Sequence, residues 1–160
     1  HLLGLAKTVI IWGANYFCDK LPIGQWIVWD KDRPAGTTFS DCELAWVSSD
    51  GVAVKKYKCT WNGMVREGES EKRVHPTQKP LKVCDEIMSD FSEPQDVIID
   101  LFLGSGSTLI ACEKTNRKCY GMELDEKYCQ VIIQRWCDYT ERDQIKINGK
   151  ETSWVKYSNE

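Results

Sequence analysis

A chain of 160 residues, 42% of them hydrophobic and seven of them tryptophan, is the size of one domain with a real core, which excludes a disordered polymer. No apolar run nears the roughly 20 residues that cross a membrane and no secretory signal opens the chain, so a reduced, cytoplasmic setting is expected and a membrane partner is not. The net charge of −3 conceals a segregation: residues 53–82 carry eight Lys/Arg against three Glu, a local +5, while residues 1–52 sum to −2 and 83–160 to −6. Such a basic stretch is either a polyanion-facing surface or a solvated loop.

The chain opens on His1 instead of a methionine, and Leu2-Leu3-Gly4-Leu5-Ala6 reads as the tail of an element already under way, so a fragment or a processed chain is expected. Thr8-Val9-Ile10-Ile11-Trp12-Gly13 is a continuous apolar run closed by glycine, as in a strand buried in a parallel sheet. Trp26-Ile27-Val28-Trp29 predicts another strand, followed by the polar, turn-forming loop Asp30 to Gly36. Cys42 to Val47 and Val52 to Cys59 predict two strands around the turn Ser48-Ser49-Asp50-Gly51, the second nearer an edge. Gly63 to Arg73 is charged and apolar-poor, the expected mobile insertion. His75-Pro76-Thr77-Gln78-Lys79-Pro80 closes it, and Leu81, Cys84, Ile87, Met88 and Phe91 then recur at helical spacing. Val97-Ile98-Ile99 predicts a strand, the residues from Thr108 to Cys112 a helix, and Lys118 to Met122 the next strand. A last helix is expected from Asp125 as N-cap through Tyr128, Ile132 and Trp136, then a terminal strand Gln144 to Ile147 with a polar tail.

Eight cysteines include no Cys-x-x-Cys pair, and Cys84, Cys112, Cys129 and Cys137 fall inside apolar patterns, which favours buried thiols over disulfides or a metal cluster. With two histidines, a zinc site is not expected. The organising stretch is Asp100-Leu101-Phe102-Leu103-Gly104-Ser105-Gly106-Ser107-Thr108. Gly104 and Gly106 let backbone approach a ligand, and the helix behind them directs its N-terminus into the same space. Glu123, at the end of the following strand, is placed to accept from two ribose hydroxyls. Gly-Ser-Gly can also be a plain turn. Strand, glycine turn, helix, strand and terminal acid together point to a nucleoside, and a nicotinamide-dependent oxidoreductase of Rossmann type stays open as an alternative. The dinucleotide fingerprint, however, places glycine where Leu109 stands, and no Gly-Lys-Ser/Thr phosphate loop is present. Asp100 would repel a pyrophosphate and suits a cationic ligand, so S-adenosylmethionine fits the charge pattern better than NAD or ATP.

With these residues in view, the chain resembles the amino-methylating DNA methyltransferases, the N6-adenine/N4-cytosine type. Asp100 to Thr108 is similar to their cofactor motif, and His75 to Pro80 to a second cofactor motif; in the permuted beta subgroup the second stands just upstream of the first, as here. Ile10 to Phe17 and Trp26 to Lys31 are similar to phage and prophage members, so the resemblance covers about residues 8–137. It implies one methyltransferase domain over 1–160: α/β, doubly wound, with a mainly parallel Rossmann-like sheet of the S-adenosylmethionine-dependent type, one central strand missing. It also implies a cofactor site of Thr77, Gln78, Lys79, Asp100, Phe102, Gly104, Ser105, Gly106, Ser107, Glu123, Leu124 and Asp125. Asn15, Tyr16 and Phe17 would wall the pocket or simply pack a core. Double-stranded DNA is the implied partner, faced by a basic, partly flexible region 53–74 with Lys55, Lys56, Lys58, Trp61, Arg66 and Arg73. Restriction-modification in a bacterial or phage-infected cytoplasm is the implied setting.

One departure is informative. The family methylates an exocyclic base nitrogen with an Asp/Asn/Ser-Pro-Pro-aromatic tetrapeptide, and the five prolines here, Pro22, Pro34, Pro76, Pro80 and Pro94, include no adjacent pair. No side chain of the chain is therefore assigned a catalytic role. In the permuted order that motif stands upstream, so a missing N-terminal segment or a homodimer is expected to complete the sheet. A catalytically inactive cofactor- or DNA-binding remnant is the other reading the departure allows.

Overall fold

Short runs of β-branched and aromatic residues form the strands, and the two longest helices are those with an apolar stripe at helical spacing. The computed structural model describes residues 4–34, 38–61, 65–68 and 74–155. The chain divides into two compact units, His1–Ser70 and Glu71–Glu160.

The first unit is a four-stranded sheet of β1 (Ile10–Trp12), β2 (Gln25–Asp30), β3 (Cys42–Val47) and β4 (Val54–Lys58), in the order β1-β3-β2-β4. The expected parallel setting of β1 is corrected: β1 pairs antiparallel with β3, Ile11 opposite Trp46. An apolar run reports how far a strand is covered and is silent on which way its neighbour runs. β3 and β4 do not form the expected hairpin either, because β2 lies between them, antiparallel to β3 and parallel to β4. Ser48 instead extends the β1–β3 pairing, its hydroxyl accepting from the Val9 amide at 2.7 Å and its own amide donating to the Val9 carbonyl at 2.9 Å. Ile27, Trp29, Ala45, Trp46, Val47 and Tyr57 are buried, and β4 is an edge strand as expected. Two of the buried indoles find carbonyls, Trp29 donating to Cys59 at 3.2 Å and Trp46 to Pro22 at 3.1 Å. The expected mobile insertion lies partly outside the described residues. Those described are tied back: Trp61 bridges to Arg66, and the Glu67 amide donates to the Thr60 carbonyl at 2.9 Å.

The second unit is built on a β-α-β motif: β5 (Val97–Asp100), α2 (Ser107–Lys114) and β6 (Lys118–Gly121), with the strands parallel and Ile98 opposite Cys119. α1 (Leu81–Phe91), entered through Pro80, packs on α2, and Met88, Ala111 and Cys112 form a small core with Cys84, Ile98 and Cys119. All eight cysteines are free thiols. The Cys112 thiol is pushed up by its hydrogen bond with Cys119 and by burial, which suits packing and not nucleophilic chemistry. α3 (Glu126–Thr140) starts at Asp125, whose carboxylate accepts from the Lys127 amide at 2.8 Å. The expected polar tail is corrected: Lys150–Ser153 is a strand, β8, paired antiparallel with β7 (Gln144–Ile147). Asn148 and Gly149, at φ 50° and 79°, make the two-residue turn between them.

Among the described residues β5 has one hydrogen-bonded neighbour, β6, and Val97, Ile99, Tyr120 and Met122 on this pair are exposed. Arg117 closes the other end of the unit, donating to the carbonyls of Met88, Ser92 and Thr115 at 3.3, 2.7 and 2.7 Å. Ser92 and Thr115 follow the last residues of α1 and α2, so the guanidinium caps both helix ends, while the Met88 carbonyl also accepts from the Ser92 amide and hydroxyl. Arg117→Ala is expected to destabilise the chain by about 1.5–3 kcal/mol, the range for bonds to a charged donor. An unshifted urea midpoint, followed by circular dichroism, would show that the carbonyls find water equally well.

Candidate functional site

The site lies in the second unit, at the carboxyl ends of β5 and β6. Asp100 ends β5, and its Oδ1 accepts from the Phe102 amide at 2.9 Å, a local turn that lifts the chain off the sheet. Leu103 and Met122 continue the strand pairing past the ends of the strands, Leu103 N–H to Met122 O at 2.9 Å and Met122 N–H to Asp100 O at 2.8 Å. Gly104 and Gly106 both take positive φ, 57° and 81°, and the Gly106 amide donates to the Leu103 carbonyl at 2.9 Å. The positive φ strains any side chain at Gly106, and one there would also stand a tight 3.2 Å from Ile132 on α3. Beneath the turn the buried Arg135 of α3 donates to the Ser105 carbonyl at 2.6 Å.

Glu123 reaches the same turn from β6. Its Oε2 accepts from the Gly104 amide at 2.8 Å and its Oε1 from the Asp125 amide at 2.9 Å. The Asp125 amide first, then the Gly104 amide, hold its carboxyl below the usual carboxylate range. Each oxygen has a second lone pair, so the carboxylate still offers acceptors to a ligand's hydroxyls. Phe102, 89% exposed, and Leu124, fully exposed, supply bare apolar surface on either side.

The segment before α1 is pinned to this turn. The Ser107 hydroxyl donates to the Lys79 carbonyl at 2.9 Å and stands 3.3 Å from the Ser105 hydroxyl. Gln78 is buried, its amide oxygen accepting from the Val74 amide at 3.1 Å, so it braces the segment. His75 accepts the Thr77 amide on Nδ1 at 3.1 Å, with the Thr77 hydroxyl at the same distance. The structure thus gathers Thr77, Gln78, Lys79, Asp100, Phe102, the glycines, Ser105, Ser107, Glu123, Leu124 and Asp125 around one turn. Sequence reasoning placed His75 in the second cofactor motif without giving it a role, and it missed Tyr128 and Arg135. Tyr128, three residues past the N-cap, reads as an ordinary helix residue, and Arg135, three past Ile132, could have been noticed as a charge on an apolar face.

Of the residues expected to face DNA, Lys55, Lys56, Lys58, Trp61 and Arg66 belong to the first unit. Lys56 and Lys58 on β4 pair with Asp30 at 3.2 Å and Asp32 at 2.9 Å. Trp61 does not stand among the lysines as an exposed ring: it is buried, edge-on to Trp29 at 6.5 Å, with the Arg66 guanidinium 5.9 Å from its ring. Its burial gives it a packing role that lysine-interleaved position cannot distinguish from stacking on bases. Lys55 lies on β4, and Arg73 falls outside the described residues. Asn15, Tyr16 and Phe17 belong to the turn after β1, with Tyr16 88% exposed.

The second unit is thus an α/β arrangement: a parallel β-α-β motif with a glycine turn and a carboxylate locked at its mouth. The chain belongs to the N6/N4 DNA methylase family, whose model matches residues 47–135, more than half of its length. It is 34% identical over 70 residues to the type II methyltransferase M.BglII of Bacillus subtilis, covering 44% of the chain and 19% of that protein. It is 29% identical over 111 residues to M2.LlaDCHI of Lactococcus lactis subsp. cremoris, covering 68% and 40%. The chain therefore spans about a fifth to two fifths of the length of these relatives. Among solved structures it is similar to M1.HpyAVI in complex with SAM, with a TM-score of 0.59 at 28% identity over 80% of this chain and 73% of that one. The cytosine-N4-specific PvuII DNA methyltransferase shares the fold, with a TM-score of 0.55 at 17% identity over 71% and 51%. The fold is thus of the Rossmann-like methyltransferase class.

Because the Glu123 carboxyl is lowered on folding, its contribution to stability is present above the unfolded carboxyl pKa and disappears as pH falls through the folded one. The melting difference between the chain and Glu123→Gln is expected to be largest near neutrality and to shrink as pH falls below the ordinary carboxylate range. A difference that stays constant on acidification would assign it to packing and not to charge.

Proposed function

We propose that this chain carries the S-adenosylmethionine site of a DNA methyltransferase that acts on an exocyclic amino group. The observation that carries the reading is the Glu123 carboxylate fixed across the glycine turn by the Gly104 and Asp125 amides. The turn's residues fit the cofactor. Glu123 would take the ribose hydroxyls, Phe102, Leu124 and Asp125 would border the adenosine, and Gly104 to Ser107 would give the backbone close approach. Thr77 and Lys79 would hold the methionine carboxylate by hydroxyl and charge, with Gln78 bracing their segment. Bound there, S-adenosylmethionine supplies an electrophilic methyl group. We assign the target as adenine N6 ahead of cytosine N4, on the resemblance of Ile10 to Phe17 and Trp26 to Lys31 to phage and prophage enzymes.

Double-stranded DNA would meet the basic 53–74 region, with Lys55, Lys56, Lys58, Arg66 and Arg73 on phosphates. The base-facing tetrapeptide has no counterpart in the chain, since no two of its prolines are adjacent. We assign that task to a segment that adds along the open edge of β5, from a longer polypeptide or from a second copy. The same absence favours a second reading, a cofactor- and DNA-binding protein without methyltransferase activity. Titration calorimetry is expected to show binding of S-adenosylmethionine and none of NAD, with Glu123→Ala weakening binding about tenfold or more. Unchanged affinity in the variant would remove the ribose assignment. Incubation with labelled cofactor and DNA separates the two readings: label recovered as N6-methyldeoxyadenosine supports the enzyme, and binding without label transfer supports the inactive protein.

A further inference from the structure

One buried cation lies directly under the glycine turn and has no role in the site as described so far. Arg135 is 7% exposed and Ser105 3%, and the guanidinium Nη1 donates to the Ser105 carbonyl at 2.6 Å. A peptide unit is rigid, so a carbonyl held on one side fixes the direction of the N–H on the other. Here the Gly106 N–H of the same peptide donates to the Leu103 carbonyl at 2.9 Å, and the Leu103 N–H donates to the Met122 carbonyl at 2.9 Å. The Ser105–Gly106 peptide is thus pinned at both ends, from α3 below it and from the ends of the β5–β6 pair beside it. Ile132, one helical turn before Arg135 on α3, backs Gly106 itself, 3.2 Å from where a side chain would begin. α3 also reaches the segment before α1, where Tyr128 lies edge-on to the His75 ring with centroids 4.2 Å apart.

We infer that Arg135 is a positioning residue that locks the Ser105–Gly106 peptide in the orientation the cofactor site needs. This rests on the cofactor reading above. The physical ground is the cost of a buried carbonyl left without a donor. Among the described residues, the donor that the Ser105 carbonyl finds is Arg135. With the guanidinium removed, that carbonyl gains a partner only by turning toward water. Gly106, now at φ 81°, leaves the rotation open, because glycine accepts φ of either sign. The rotation carries the Gly106 N–H off the Leu103 carbonyl and displaces the residue that stands as N-cap of α2. The turn then loses the spacing recorded by the Gly104 bond to Glu123 at 2.8 Å and the Ser107 bond to Lys79 at 2.9 Å. A turn that is rotated part of the time binds its ligand in proportion to the fraction that is not. Arg135 therefore acts on affinity through the turn, from beneath it.

Amide hydrogen exchange, followed by nitrogen-15 NMR, and titration calorimetry on this chain test the lock. In the parent chain the Gly106 amide is expected to be protected from exchange as strongly as the Met122 amide, which donates to the Asp100 carbonyl. Arg135→Met keeps the apolar stem and removes the donor. It is expected to lose protection at Gly106 while keeping it at Met122, and to bind S-adenosylmethionine about tenfold more weakly. Arg135→Lys returns a charged donor and is expected to recover most of both. A merely structural role would lower the urea midpoint of Arg135→Met and leave its Gly106 exchange and its affinity, once folded, as in the parent. That result overturns the inference. A Gly106 amide that exchanges freely in the parent overturns it too, and that measurement does not require any variant to fold. Should S-adenosylmethionine fail to bind the parent, the cofactor reading falls, while the Gly106 and Met122 amides still decide whether Arg135 holds the peptide.

Discussion

The hydrogen bond from the Gly104 amide to Glu123 is the constraint on which the site depends, because it ties the end of one strand to the turn that leaves the other. Parallel pairing of β5 and β6 brings their carboxyl ends side by side, and the Leu103 and Met122 bonds carry the register beyond the last strand residues. From there the chain must reverse into α2, and the positive φ of Gly104 and Gly106 makes the reversal possible without strain. α3 supplies the floor through Arg135 on the Ser105 carbonyl and Ile132 against Gly106. A turn held from β6, α3 and the segment before α1 has its acceptors in place before a ligand arrives, so binding need not order it.

On the proposed reading, that arrangement would account for the cofactor end of the reaction and not the other. The carboxylate, the glycines and the exposed apolar side chains around the turn would suit a nucleoside, and none of them would polarise an amine on a base. The exposed Val97, Ile99, Tyr120 and Met122 belong to the same strand pair. Parallel strands are normally covered on both faces, so an apolar face left bare beside an edge that has no hydrogen-bonded neighbour among the described residues is where, on the proposed reading, further structure would add.

What could be read from the sequence was whatever a local signal decides. β5, the glycine turn, α2 and β6 follow from an apolar run, two glycines and a renewed helical pattern within 25 residues (97–121). Asp125 was legible as an N-cap because the cap lies within the reach of its own side chain. Strand neighbours were not legible: the apolar run before Gly13 looks the same beside a parallel or an antiparallel partner, and the insertion of β2 between β3 and β4 is a long-range choice. β8 is a different case, since Asn148-Gly149 is a strong hairpin signal and was passed over because the residues after it are polar. Trp61 was misplaced because an aromatic among lysines has the same pattern whether it stacks on a base or plugs a core. Arg135 escaped because a charge on an apolar helix face does not say which carbonyl it serves, here that of Ser105 from 30 residues away.

The turn's own chemistry bears on which nucleoside it suits. In a phosphate-binding loop the backbone amides before a helix face the ligand, where they attract negative charge. Here three amides of this region are taken up by the chain's own carboxylates: Phe102 by Asp100, and Gly104 and Asp125 by Glu123. The helix dipole remains, but what stands before it is a pair of acids with acceptors facing outward. A pyrophosphate would meet two carboxylates and find those amides already occupied. A nucleoside whose chain carries positive charge would meet the opposite situation: on the proposed reading its ribose hydroxyls would find Glu123, and its cationic chain would lie in the field of Asp100. The same glycine-turn geometry that serves anions elsewhere would thereby be turned toward a cation. Two carboxylates account for the change, and both were visible as single letters in the sequence.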